Sequence, residues 1–325
     1  MSRSVRSLAL RLDTPARQRL ALIAAAAVVT GGYVASLKLA HPERISDLFQ
    51  LVVGARAFLA GQDPYAAVRA TPALAYPLSY PVPAVLAVTP LVWLPMWAAD
   101  ALFVAVNAAV FAWAITCRRI MSPPLLALVS APFLHSVMLS QWSPLITGAA
   151  LLPPLGFLLA CKPNVGLALF AAYPNWRTAA GAVALVIVSL ALWPAWPWAW
   201  RAAIAAAPPS PPLVMFPGGP LLLLPLLRWR HPEARLVTML GLVPQTTLPY
   251  ALLPLFLVAR TWREGWIIWA GTTMALLGHA WAGPYDSDLA WLRAAGIWML
   301  YCAFLPCVVL VLMRDRRAAW RSTPA

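Results

Sequence analysis

Long apolar runs follow one another along this chain with almost no carboxylates between them, and that pattern leaves few ways to fold. Ten Asp and Glu residues are spread over 325 positions, 10% of residues are charged and 62% are hydrophobic. Soluble domains carry about a quarter charged residues. In lipid every backbone amide must be satisfied within its own segment or by closed pairing, so runs of ~20 apolar residues read as transmembrane helices. The expected fold is an all-α polytopic membrane protein, a single integral domain over residues 1–325. At ~20 residues per crossing it should hold about 9–11 transmembrane helices.

The formal charge of +14, from 24 Lys and Arg, would suggest nucleic acid in a soluble protein. Here the arginines cluster at span ends with no interleaved base-stacking aromatics. The excess therefore reads as cytoplasmic loops attracted to anionic membrane lipids, with no nucleic-acid partner. On this bias residues 1–19 form a cytoplasmic tail, 38–77 the first external loop, and 314–325 a basic C-terminal tail. Further spans read as 78–97, 98–116, 122–140, 143–161, 164–176, 178–200, 213–229, 236–259, 264–282 and 295–313. The clusters at Arg118/Arg119, Arg228 to Arg235, Arg260/Arg263 and Arg314 to Arg317 cannot all be cytoplasmic if each span crosses fully. At least one segment must be re-entrant, broken or misassigned. The chain has 33 prolines, many near span ends where they break helices, and the tryptophans at 193, 196, 198 and 200 suit an interfacial belt. Cys117, Cys161, Cys302 and Cys307 lie in or beside apolar runs without a CxxC pair and read as small buried hydrophobes.

The stretch ISDLFQLVVGARAFLAGQDPY, Ile45 to Tyr65, lies in the expected external loop and holds two carboxylates. At 100° per residue, Leu48, Leu51, Val52, Ala55 and Leu59 share one side, with Asp47, Gln50 and Gly54 along one edge. This predicts an amphipathic helix lying at the membrane surface, capped by Ser46 and ended by Gly61. Gln62-Asp63-Pro64-Tyr65 then predicts a turn, giving Asp63 a structural role. For Asp47 two readings stand. A carboxylate in a first helical turn is favoured by the helix dipole, or it serves as a general base where a lipid-borne substrate presents its reacting end.

Ser46-Asp47 through Gly61-Gln62-Asp63-Pro64-Tyr65 resembles the early external loop of glycosyltransferase family 87, with its SDF-type start, AARALLAG-like helix and DPY turn. Residues 80–95, YPVPAVLAVTPLVWLP, are similar to the family's YPPL…PL..LP segment, which brings in Tyr80. Ser140-Gln141-Trp142-Ser143 and Cys161-Lys162-Pro163-Asn164 stand where that family has GQxN-like and KPQ-like turns, though closer together here. The resemblance covers roughly residues 40–175, with a fainter match at Pro249-Tyr250. It implies a GT-C-like bundle and a hexosyltransferase of a bacterial plasma membrane, active at the external face. Such an enzyme takes mannose or a similar sugar from a polyprenyl-phosphate donor and passes it to a glycolipid or polysaccharide acceptor. Asp47 matches the catalytic aspartate that deprotonates the acceptor hydroxyl.

A leaving phosphate calls for a cation or aimed donors. Lys162 is the leading candidate, since a lysine between apolar runs is costly without a partner, and its alternative is a snorkelling topology anchor. Gln141, Gln50, Arg56, Tyr80 and His279 are further substrate-binding candidates, with His135 a weaker one. Asp286 and Asp288 form the other close acidic pair; an ordinary loop is preferred to a metal site there, the polyprenyl-phosphate sugar counts as substrate, and no cofactor or divalent metal is assigned. No phosphate-cradling glycine loop, HExxH or nucleophile elbow occurs. Two other functions remain open: a lipid or amphiphile transporter or flippase, suggested by the proline-broken spans, and an inactive family member acting as a scaffold.

Overall fold

The computed structural model describes residues 15–314 apart from 75, 118, 209 and 245–247; the Asp288 side chain is also outside the described residues. The tails expected at 1–19 and 314–325, Arg118 and the arginines after Arg314 therefore fall wholly or mostly outside them. The described residues contain helices and no strand. In order they are α1 (Pro15–Ala40), α2 (Asp47–Leu59), α3 (Pro64–Arg69), α4 (Val82–Val88), α5 (Met96–Thr116), α6 (Ala131–Met138), α7 (Ser143–Leu151), α8 (Pro163–Ala172), α9 (Trp176–Leu192), α10 (Trp196–Ala206), α11 (Pro232–Leu242), α12 (Trp262–Trp281), α13 (Asp288–Met299) and α14 (Leu305–Leu312). Four longer 3₁₀ segments intervene, Pro123–Val129, Pro153–Cys161, Gly219–Arg228 and Pro249–Val258, and a π-helical stretch, Leu300–Phe304, joins α13 to α14.

Far fewer continuous spans exist than the hydropathy of the sequence predicts. Pro15–Ala40, Met96–Thr116 and Leu289–Leu312 are long and apolar enough to cross a membrane, and α9 with α10, bent by 100°, makes a fourth if taken as one span. Of the other expected spans, 264–282 forms the continuous 20-residue helix α12, which is less apolar than the candidate crossings, and most of the rest are interrupted by proline. It occupies the first turn of α4, α6, α7, α8 and α11 and of the 3₁₀ segments between them. Proline suits a helix start, but it pushes the preceding residue out of the α region, so each new helix interrupts the one before. The expected span 143–161 thus becomes α7 plus Pro153–Cys161, and 236–259 becomes α11 plus Pro249–Val258.

Outward-facing side chains are compatible with lipid. In α9 the buried residues are Thr178 and Ser189, while Val183, Ile187 and Leu192 are more than half exposed. An apolar exterior over so long a face is unfavourable in water and ordinary in a bilayer. Helices α1 and α5 run antiparallel and close together. A Cβ on Gly31 would lie 3.0 Å from Ala105 Cβ and 3.1 Å from the Ala101 carbonyl, the close backbone approach that small residues permit.

Arginines from three of the scattered clusters, Arg228 and Arg235, Arg260, and Arg314, meet at one end of the molecule. Arg228 donates to the carbonyls of Leu312 and Arg314 at 2.9 and 2.6 Å, and Arg235 to those of Ala171 and Ala172 at 2.7 and 2.9 Å, so cations cover the C-termini of α14 and α8. Buried Glu233 pairs with Arg260 at 2.7 Å and Arg314 at 3.0 Å, and Arg314 also meets Glu264 at 3.2 Å. Helix α11 spans ~16 Å and Pro249–Val258 ~20 Å, each short of a ~30 Å hydrocarbon core. Glu233 at the start of α11 and Val258 at the end of the 3₁₀ segment both meet Arg314, so the two elements form a hairpin whose ends lie beside these arginines.

At the opposite end of α1, buried Lys38 meets Asp100 near the start of α5 at 3.5 Å and donates to the Arg44 carbonyl at 2.6 Å. Helix α2 begins beside this pair. Its Leu48, Leu51, Val52 and Ala55 are fully buried in the core, so the helix is packed into the protein rather than laid on a membrane surface; Leu59 is exposed. Ser46 occupies the N-cap position without capping, and its hydroxyl instead donates to Asp100 Oδ1 at 2.6 Å. The short helix ends at Gly61, whose φ of 71° is the left-handed conformation that glycine adopts without penalty.

Asp63 caps α3, accepting from the amides of Tyr65 at 2.8 Å and Ala66 at 3.2 Å, with Pro64 as the first helical residue. The buried Tyr65 hydroxyl donates to the Tyr80 carbonyl at 3.1 Å. This turn therefore fixes the segment that carries Tyr80. Asp63→Ala is expected to cost about 1 kcal/mol, and Asp63→Asn much less, because asparagine still offers the capping oxygen. Melting curves of the two variants in the same detergent check this.

Candidate functional site: a polar cluster on Gln141

The site is built on the end of α6. The Gln141 amide donates to the Ser136 carbonyl at 2.8 Å and the Ser140 amide to Val137 at 3.2 Å, which is a Schellman ending. Its left-handed position, usually glycine, is Ser140 with φ 51°. A non-glycine residue there costs about 1–2 kcal/mol. That conformation turns Gln141 back into the protein, and two contacts lock it: Asn107 of α5 donates to the Gln141 carbonyl at 2.9 Å, and the Asp47 amide donates to Leu139 at 3.1 Å.

Three chain segments converge on the Gln141 side chain. Its Nε2 donates to Asp47 Oδ2 at the start of α2. Its Oε1 accepts from the Tyr80 hydroxyl at 3.2 Å and from Lys162 Nζ at 3.2 Å. The amide orientation is dictated by these partners, since a carboxylate needs the N–H side, and an ammonium and a phenol need the oxygen. Lys162 lies at the break between Pro153–Cys161 and α8, outside the candidate crossings, and its Nζ stands 4.6 Å from the ring centroid of Tyr250. Tyr250 stacks on His135 with centroids 5.7 Å apart. Gln141, Lys162, Tyr80 and Tyr250 are buried, while Asp47 is half-buried and so remains the part of the cluster open to a reactant.

Burial sets the electrostatics. Desolvation raises the Asp47 carboxyl above the usual range, against the opposing pull of Lys162, Gln141 and Lys38. Desolvation likewise lowers Lys162 to about 8, against the attraction of Asp47. An acid shifted up and a base shifted down, one glutamine apart, can exchange protons with a substrate near neutral pH. The chain has two lysines among its 24 basic residues, Lys38 and Lys162, and both act on Asp47.

Of the residues singled out in the sequence, Asp47, Tyr80, Gln141 and Lys162 come together. Gln50 lies one turn beyond Asp47 on α2, with its Oε1 buried and unbonded among the described residues. Arg56 lies ~14 Å along the helix from Asp47, where its guanidinium grips the Val92 carbonyl at 3.1 and 3.3 Å, a structural staple rather than a site group. His279 is packed near the end of α12 between Tyr285 and Trp291, with the Tyr285 hydroxyl 3.0 Å from its Nδ1. No contact links His279 to Gln141 among the described residues. Asp286 belongs to that same α12–α13 loop, and no group of three His, Cys, Asp or Glu that could hold a metal is found among the described residues.

Asp100, Asn107 and Tyr250 had no role in the sequence analysis, and Ser140 entered only as the first residue of the GQxN-like turn. Asp100 and Asn107 had a signal: both are polar residues inside an apolar run, two turns apart and thus on one helix face, and an ionisable group there marks a site by default. For Ser140 the GQxN-like turn was a signal of a chain reversal, while the stacking of Tyr250 on His135 has none in the local pattern. No protein-family model, curated protein or solved structure matches this chain.

Proposed function

We propose that the protein is a membrane glycosyltransferase of the GT-C type. It transfers mannose or a similar sugar from a polyprenyl-phosphate donor to a glycolipid or polysaccharide acceptor, with Asp47 as general base. The convergence of half-buried Asp47 and buried Lys162 on one glutamine amide carries this reading. The resemblance of residues 45–65 and 80–95 to glycosyltransferase family 87 supports it. With the arginine-rich end in the cytoplasm, the cluster opens towards the external side.

Asp47 takes the proton of the acceptor hydroxyl as its oxygen bonds to the anomeric carbon. The bond from that carbon to the phosphate oxygen breaks on the opposite face, and the electron pair leaves with the phosphate. Lys162 meets the charge that develops there, where low dielectric strengthens the attraction. Tyr80 and Gln141 hold both groups in place.

Activity should then follow a bell-shaped pH profile. The base works ionised, so the rate rises with pH through the Asp47 pKa, placed by burial above that of an ordinary carboxylate. The cation works protonated, so the rate falls as pH passes about 8. The test is a transfer assay in lipid vesicles across a pH series, with radiolabelled polyprenyl-phosphate sugar and membrane glycolipid extract. Absence of any glycosidic product at every pH refutes the reading.

One observation favours a second reading. Gln141 and Lys162 both sit at breaks between short helices, the arrangement by which many transporters present polar groups inside the membrane. A lipid or amphiphile transporter would carry the donor across the vesicle bilayer and form no glycosidic bond in the same assay.

A further inference from the structure

Lys162 is held by a contact that neither acid–base pairing nor sugar transfer requires. Its ammonium donates to Gln141 Oε1 at 3.2 Å. On another side it meets the ring of Tyr250 at 4.6 Å, close enough for attraction between a cation and the ring quadrupole. Tyr250 comes from the hairpin of α11 and Pro249–Val258, at the start of the latter, and is almost fully buried. Its ring is fixed in plane by His135 of α6, which stacks on it at an interplanar angle of 14°. The hairpin is tied to the start of α8 as well, because Asn164 donates to the Pro244 carbonyl at 2.9 Å. The hairpin's tip thus reaches both Lys162 and its near neighbour in sequence.

We propose that Tyr250 is a positioning residue for Lys162: the hairpin delivers its ring to hold the ammonium against Gln141 and keep it charged. This rests on the function proposed above only in giving that charge a use; the contact itself is independent of sugar transfer. The other groups near Lys162 are Asp47 from α2, Tyr80 ahead of α4, and His135 behind Tyr250. Cys161, its sequence neighbour, is engaged with the Pro83 carbonyl. On α11, which packs on α8, the acidic group is Glu233, and it is occupied by Arg260 and Arg314 at the far end. None of these replaces the ring.

Because Lys38 is the other lysine, amine labelling reads Lys162 directly once peptides are separated by mass spectrometry. The full-length protein in detergent is treated briefly with acetic anhydride at a series of pH values, and the labelling midpoint of each lysine is fitted. Tyr250→Phe keeps the ring face and should leave the Lys162 midpoint unchanged. Tyr250→Leu removes it and should lower that midpoint by about one unit, about tenfold more labelling at a fixed pH below it. Lys38 reports folding: if it labels as a free amine, Tyr250→Met is used in place of Tyr250→Leu. A midpoint equal to wild type in a folded Leu or Met variant overturns the proposal, as does an equal shift in Tyr250→Phe. A negative transfer assay with the expected labelling shift would refute the enzyme reading alone.

Discussion

Asp47→Asn is expected to lower sugar transfer by about 10²–10⁴-fold, the usual contribution of a positioned general base. The substitution keeps the shape, and the asparagine oxygen can still accept from Gln141 Nε2, so the start of α2 should stay where it is. What disappears is the ability to take a proton. Folding should be little affected, because burial already disfavours the Asp47 charge and removing it relieves that penalty. Purified wild type and variant, matched by melting temperature, give the comparison. Transfer at the wild-type rate in the variant would remove Asp47 from the chemistry and return it to the role of a first-turn carboxylate.

Lys162→Met is expected to lower transfer by about 10²–10³-fold, as when an aimed donor is taken from a developing oxyanion. Its stability should be unchanged or higher. A buried ammonium carries a desolvation penalty that methionine lacks, and methionine is long and flexible enough to fill the space beside Tyr250. Asp47 loses its nearest cation in this variant, so its carboxyl should bind a proton more readily and the acid limb of any residual activity should move to higher pH. Lys162→Arg is not expected to rescue, because a planar fork does not fit where a compact ammonium sits between an amide oxygen and a ring face. Were Lys162 only an anchor that places the chain in the membrane, Lys162→Met would leave kcat/KM untouched.

These two residues were legible in the sequence for different reasons. Asp47 stood out as one of very few carboxylates, and Lys162 as a cation between apolar runs; the family resemblance, not their periodicity, suggested their roles. Their meeting was not legible, since it depends on Ser140 adopting a left-handed conformation that glycine would have advertised. The helix count failed for a physical reason. Hydropathy averages over a window, whereas a proline at a helix start interrupts within one residue, so α7 and Pro153–Cys161 looked like one span. The same blindness made the arginine clusters appear contradictory. Their meeting requires Arg228, Arg235, Arg260 and Arg314 to be gathered by a hairpin of two short helices, and such a hairpin has no signature in composition.

The placing of Gln141 between Asp47 and Lys162 has one more consequence. Two opposite charges in a dry interior attract strongly enough to close into direct contact, where they would screen each other and leave neither for a third party. The glutamine is an insulator. Its amide offers each charge a partner of the right polarity, N–H towards the acid and oxygen towards the base, and occupies the gap through which they would otherwise discharge. The resting protein thus keeps a fixed dipole, acid at one pole and base at the other, ready for a molecule that arrives needing both.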